Sequence, residues 1–211
     1  MKFLNNKSNN QKGFTLIELA IATSVFSIVL LMLMTSVIKI TDDYYRGLTQ
    51  SETQNVANNI VNTISQAIQF GGGVETVPTA NNGSEAYCIN GQLYSYLIGY
   101  EVEPNPNTSD NQAYHGLLVS TNGCSQPQNL TSPSSAGQEL LGQNMRLAAF
   151  SITALPGWSQ SYYIHVRVVY GSNNLLANGT SGPDVTCSGN NSLSRFCAVS
   201  DLSAVVQQRV Q

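Results

Sequence analysis

From Phe14 to Ile38 the chain is one apolar run of 25 residues, and its only charge is Glu18. A helix needs about 20 apolar residues to cross about 30 Å of hydrocarbon, so this run is long enough to span a membrane. From Thr41 the pattern turns amphipathic. Val56, Ile60, Ile64 and Ile68 recur four apart, with Ala57, Val61 and Ala67 beside them. That spacing predicts one apolar stripe on a helix that packs against a sheet. Gly47 lies between the two halves and permits a bend there. The glycines at 71–73 predict the stop. One helix over residues 14–70 would be about 85 Å long at 1.5 Å per residue.

Beyond residue 70 the period changes from helical to alternating. Over Leu93–Val102 the residues Tyr94, Tyr96, Ile98, Tyr100 and Val102 share one face. Tyr114–Ser120 is a shorter strand candidate. Arg146–Leu155 and Ser161–Tyr170 flank Pro156-Gly157, a turn signal, and predict a hairpin. Near the end Leu202, Ala204, Val206 and Val210 share one parity and predict a last strand. The connections, notably 103–112, 122–137 and 171–192, are rich in Asn, Ser, Gly and Pro. An antiparallel sheet covered by the outer half of the helix would close one core, so the fold class expected is α+β. There is no internal repeat.

Charge changes the picture at the N-terminus. Residues 1–12 carry Lys2, Lys7 and Lys12 and no acid, whereas 13–211 carry 6 bases and 12 acids. A basic head before an apolar run reads as a targeting segment, outside fold reasoning. It predicts a cytoplasmic N-terminus, with Asp42 and Asp43 on the far side and Tyr44 and Tyr45 near the outer interface. A cleaved secretory signal fits less well, because its apolar core spans only about 7–15 residues. The net charge of −3 leaves no basic footprint for nucleic acid. Two histidines and no Cys-x-x-Cys pair leave little for a metal clamp. Only 10% of residues are charged, while Asn, Ser and Gln are abundant. Such a surface suits an exposed extracellular protein.

Glu18 is the most informative residue. A carboxylate at membrane depth costs roughly 2.5–3.5 kcal/mol, so it usually has a partner and a purpose. As a mere first-turn acid complementing the helix dipole it would return at most about 1 kcal/mol. The residues before it supply a stronger reading. Lys12-Gly13-Phe14-Thr15-Leu16-Ile17-Glu18-Leu19 resembles the processing site of type IV pilins and pseudopilins. The resemblance is close over 12–40, weaker to about 70, and architectural beyond. It implies that a membrane peptidase cuts after Gly13 and methylates the new N-terminus at Phe14. Glu18, fifth after the cut, would pair with the freed amine of its own or a neighbouring subunit and guide docking. It also implies a lollipop shape: leader 1–13, spanning and filament-core helix 14–40, amphipathic half 41–70, and head 71–211. Small residues Ala20, Ala22, Thr23, Ser24 and Ser27 would let such helices approach closely.

Four cysteines lie in the part expected outside, which suggests two disulfides. Three connectivities are possible. Cys88 with Cys124 and Cys187 with Cys197 is the preferred one, the second closing a short Ser-, Asn- and Gly-rich loop. A disulfide-closed C-terminal loop also resembles the variable loop that many pilins expose. Each bridge would contribute about 3–4 kcal/mol through loop-closure entropy.

Catalytic motifs are not found: neither Gly-x-Ser-x-Gly nor His-Glu-x-x-His occurs. His115 and His165 read as structural or surface histidines. Glu101 and Glu103 read as solvated loop acids. Asp110, Asp184 and Asp201 show no calcium-loop spacing. No cofactor is expected. Most of the ten tyrosines are expected in the sheet core and in cross-strand pairs, although with Trp158 they could also form an adhesive face. Asn82-Gly83-Ser84, Asn129-Leu130-Thr131 and Asn178-Gly179-Thr180 match the glycosylation sequon, as an Asn- and Ser-rich chain does by chance.

The resemblance therefore implies a structural subunit rather than an enzyme. The favoured reading is a minor pilin of a type IV pilus-like filament. The alternative is a pseudopilin of a type II secretion or DNA-uptake system. Expected partners are the prepilin peptidase, other pilins through their N-terminal helices, and an inner-membrane assembly platform with its ATPase. The expected location is the plasma membrane, head outside, and then a surface filament. A tethered enzyme or receptor is a remote third reading, because a tether needs neither Gly13 nor Glu18.

Overall fold

The computed structural model describes residues 13–121, 123–158, 160–188 and 194–209. One helix, α1, runs unbroken over Leu16–Gly71. Residues up to Asp42 form one compact unit and residues from Asp43 onward another. Among the described residues of the first unit every one but Asp42 is exposed. Its apolar window has a mean hydropathy of 2.4 and no burial within the chain. Its hydroxyls are satisfied locally. Thr23, Ser24 and Ser27 donate to the carbonyls of Leu19, Ile21 and Thr23 at 3.0, 2.8 and 2.8 Å. Such back-bonding leaves each of these hydroxyls paired within the helix.

In the second unit the helix buries one face: Thr49, Thr53, Ala57, Ile60, Ile64 and Ile68. These recur at three- and four-residue steps, which is the stripe read from the sequence. Two antiparallel sheets meet it. The first has the order β1-β2-β3-β6-β7, from Val74–Val77, Glu85–Ile89, Gln92–Tyr96, Leu117–Ser120 and Gln138–Glu139. The second has the order β12-β9-β8, from Ala198–Gln207, Ser161–Tyr170 and Met145–Ala154. Two minor pairs complete the head: β4 (Glu101–Val102) with β5 (Gln112–Ala113), and β10 (Leu176–Ala177) with β11 (Thr186–Cys187). One core joins Ile60, Ile64 and Ile68 to Tyr87, Tyr94 and Tyr96 of the first sheet and to Phe150, Ile152, Ile164, Val166 and Val206 of the second. The arrangement is α+β, an apolar N-terminal helix packed on antiparallel sheets. Tyr87, Tyr96 and Phe150 meet edge-on or stacked with ring centroids 4.8–5.6 Å apart, within the favourable range for aromatic contacts.

The expected strand over Leu93–Val102 is interrupted. β3 stops at Tyr96, and the backbone turns away at Gly99, whose φ is +84° and whose N–H donates to Leu147 O at 2.8 Å. Only a residue without Cβ adopts that conformation freely. Tyr94 and Tyr96 still face the helix, while Tyr100 packs on a second cluster of Leu97, Ala113, Leu118 and Leu130.

The kink corrects the reading of Glu101. It is not a solvated loop acid but 2% exposed, and its Oε2 accepts from Arg146 Nη2 at 2.8 Å. Arg146 is fully buried and also donates to Gly171 O at 2.9 Å, to Gly99 O at 3.4 Å and to Asn173. A bulge in β8 between Leu147 and Ala149 explains its direction. Before the bulge Met145 and Leu147 face the core; after it Phe150 and Ile152 do. Arg146 therefore leaves the core face and ties β4 to the 171–173 loop. Burial pushes the Glu101 carboxyl above its ordinary value, and Arg146 opposes that push. We expect Arg146→Met to destabilise the folded chain by about 3–5 kcal/mol, because it strands a buried carboxylate. Glu101→Leu with Arg146→Met should restore much of that loss in a denaturant titration.

Cys88 is bonded to Cys124, with Cα atoms 5.6 Å apart, and Cys187 to Cys197 at 5.7 Å. Cys88 lies on β2, between β1 and β3, so its bridge ties the loop carrying Cys124 to that strand. Removing it by Cys88→Ser with Cys124→Ser should cost about 2–5 kcal/mol and show as a lowered thermal midpoint.

Candidate functional site

The segment that carries the sequence motif is the start of α1. Residues 13–15 precede the helix, which begins at Leu16. Lys12 lies outside the described residues. Gly13 is exposed, and a Cβ built on it would meet nothing within 4 Å. No neighbour among the described residues and no left-handed backbone requires glycine there. Phe14 is 88% exposed.

Thr15 and Glu18 form a reciprocal cap. Glu18 Oε2 accepts from the Thr15 N–H and from the Thr15 hydroxyl, both at 2.9 Å. The Thr15 hydroxyl in turn accepts from the Glu18 N–H at 3.3 Å, and Leu19 N–H donates to Thr15 O at 3.2 Å. This is a capping box, with Thr15 as N-cap and Glu18 three residues on. The Thr-x-x-Glu spacing was legible in the sequence as such a box. Reading Glu18 only as a dipole complement or docking charge misses the role of Thr15. Both bonds use Oε2. Oε1 accepts no hydrogen bond from the described residues, and the residue is exposed. Thr15→Ala should loosen the first turn by about 1 kcal/mol, seen as faster amide exchange over residues 16–19 of detergent-solubilised protein.

The remaining candidates lie in the head. His165 Nε2 sits 2.7 Å from Asp201 Oδ1 across the β9–β12 pair, and Arg167 binds the other oxygen of Asp201. His115 Nδ1 is 3.3 Å from Glu139 Oε2. The Glu139 carboxylate also accepts from the N–H groups of Gly116, Leu117 and Leu141 at 3.0–3.1 Å, so it closes the loop before β6 onto β7. Both histidines thus contact carboxylates that hold strands together, and no serine hydroxyl hydrogen-bonds to either imidazole among the described residues. Asp110 accepts from Asn107 Nδ2 at 2.9 Å beside a short 3-10 turn, and the Asp184 carbonyl accepts from Asn178 at 3.0 Å. No group of three or more His, Cys, Asp or Glu gathers for a metal ion among the described residues. Of the aromatics, Tyr87, Tyr94 and Tyr96 are core, whereas Trp158 stands 71% exposed at the β8–β9 turn.

Residues 8–34 match the family model described as the prokaryotic N-terminal methylation motif, the type IV pilin-type prepilin signal. The match covers the segment just described, including Gly13, Phe14 and Glu18. No curated protein and no solved structure matches the chain.

Proposed function

We propose that this chain, which carries a type IV pilin-type prepilin signal over residues 8–34, is a structural subunit of a filament drawn from the membrane. The observation that carries the reading is that signal heading a helix whose first part exposes all its apolar residues. An exposed apolar helix of this kind needs lipid before assembly and other helices after it. The precursor would sit in the plasma membrane with residues 1–13 cytoplasmic and the head outside. The prepilin peptidase would hydrolyse the Gly13–Phe14 amide with water. The products are a Gly13 carboxylate and a Phe14 amine; the amine then takes a methyl group from a sulfonium methyl donor and gives up a proton, and the donor leaves as a neutral thioether. Gly13 suits this role because nothing inside the chain requires a glycine there.

The new amine would be a cation in a medium of low dielectric constant. Glu18 Oε2 stays with the Thr15 cap, and Oε1 is open to accept from the amine of a neighbouring subunit. A lone charge at that depth is so costly that the pair sets register as each subunit docks. The further partners would be other pilins and an inner-membrane platform driven by an ATPase. Within that class the reading favoured is a minor pilin. The same chemistry serves a pseudopilin of a secretion or DNA-uptake machine. Immunogold labelling of cells separates them: decorated long surface fibres support a pilus, and labelling confined to the envelope supports a pseudopilin. Full-length chain left uncleaved in the membrane would sink both.

A further inference from the structure

Five sequons stand in the head, at Asn82, Asn107, Asn129, Asn178 and Asn190, the last outside the described residues, and the side chains of the other four differ in one respect that bears on chemistry. The Asn107 amide nitrogen is occupied: it donates to Asp110 Oδ2 at 2.9 Å. The Asn82 amide nitrogen is occupied: it donates to Asn129 Oδ1 at 2.8 Å. The Asn178 nitrogen is occupied as well, donating to the Asp184 carbonyl at 3.0 Å, and Asn178 sits at φ +65°. The Asn129 nitrogen has no partner among the described residues, and Asn129 is exposed.

The oxygen of Asn129 is bound on three sides. It accepts from the Thr131 N–H at 3.2 Å, from the Thr131 hydroxyl at 2.8 Å and from Asn82 Nδ2 at 2.8 Å. Donors on a carbonyl oxygen stabilise the negative charge that builds there when the amide nitrogen gives up a proton. The third residue of the sequon supplies two of the three donors. Between them Leu130 is fully buried against Leu97, Ala113 and Leu118, which fixes the loop and holds Asn129 outward. The disulfide from Cys124 to Cys88 anchors the same loop five residues earlier.

We infer that Asn129 is a site of N-linked glycosylation, and that Asn82, Asn107 and Asn178 are not. The donor class is a sugar carried on a lipid pyrophosphate. Asn129 Nδ2 bonds to the anomeric carbon of the sugar, and the bond from that carbon to the pyrophosphate oxygen breaks. The amide proton goes to a base of the transferase, and the lipid pyrophosphate leaves with the bonding electrons. The inference rests on the proposed function for one thing only, the placement of the head outside the cytoplasm, where such donors face.

The test uses the full chain from its own cells, recovered from sheared surface material and digested for peptide mass mapping. The expected result is a glycan mass on the peptide containing Asn129, with the peptides of Asn82, Asn107 and Asn178 unmodified. Asn129→Gln and Thr131→Ala should each abolish the added mass, whereas Thr131→Ser and Asn178→Gln should retain it. The unmutated chain settles the matter even where a variant fails to fold. A chain that starts at Phe14 with a bare Asn129 peptide overturns this inference and leaves the proposed function standing. A glycan on Asn82, Asn107 or Asn178 instead of Asn129 also overturns it. A chain that starts at Met1 and stays in the cell membrane overturns the proposed function itself.

Discussion

Gly13→Leu is expected to abolish processing while leaving the head folded. The prediction follows from a contrast. Inside the chain a side chain at position 13 meets no atom within 4 Å, and the head does not involve it. At the peptidase the residue before the cut must lie close to the attacking water. Displacing reacting atoms by about 1 Å costs about a hundredfold in rate, and an isobutyl group displaces by more. Membranes from cells making the variant should hold only full-length chain, with a thermal midpoint equal to that of the wild-type precursor. Cleavage at the wild-type rate would show that glycine is not what the peptidase reads.

Glu18→Ala should leave cleavage intact and remove the protein from filaments. The structure shows one role of this carboxylate, and the proposed function adds a second. As the helix cap it holds Thr15, a contribution of about 1 kcal/mol. As the proposed partner of an amine buried among helices, its loss would cost about 3–5 kcal/mol for each docking event. The second figure corresponds to a hundredfold or greater loss of docking affinity, since about 1.4 kcal/mol is tenfold. Thr15→Ala removes the cap and keeps the charge. We therefore expect mature Glu18→Ala chain to start at Phe14, remain in the membrane and be absent from sheared material, while Thr15→Ala still assembles. Equal loss from both variants would mean that the cap, not the charge, is what assembly needs.

The helical part of the account was legible in the sequence because two periods are written plainly there. The uninterrupted apolar run set the exposed part of α1, and the row Ile60, Ile64, Ile68 set the buried face. The β8–β9 hairpin followed from the Pro156-Gly157 turn signal between two strand candidates, the second of them alternating. Strands β1 and β2 were missed, although Asn90-Gly91 is a strong two-residue hairpin signal. Its residues adopt φ of 54° and 71°, and it joins Ile89 to Gln92. Glu101 was misread because its environment is made by distant events. The turn at Gly99 and the parity switch of the β8 bulge bring it to Arg146, 45 residues away. Neither leaves a periodic trace. At the N-terminus the residues of the motif were read directly, but the Thr15–Glu18 box shows only when Thr15 is considered as a cap rather than as filler between Phe14 and Glu18. The exposure of Asn129 Nδ2, against the occupied nitrogens of Asn82 and Asn178, depends on long-range contacts and is invisible in a sequon match.

The most direct measurement is intact mass with N-terminal sequencing of the chain recovered from sheared surface material. The account predicts a chain beginning at a methylated Phe14, without residues 1–13 and with both disulfides intact. A chain beginning at Met1, found only in the membrane fraction, would contradict it and make the helix a tether for the head.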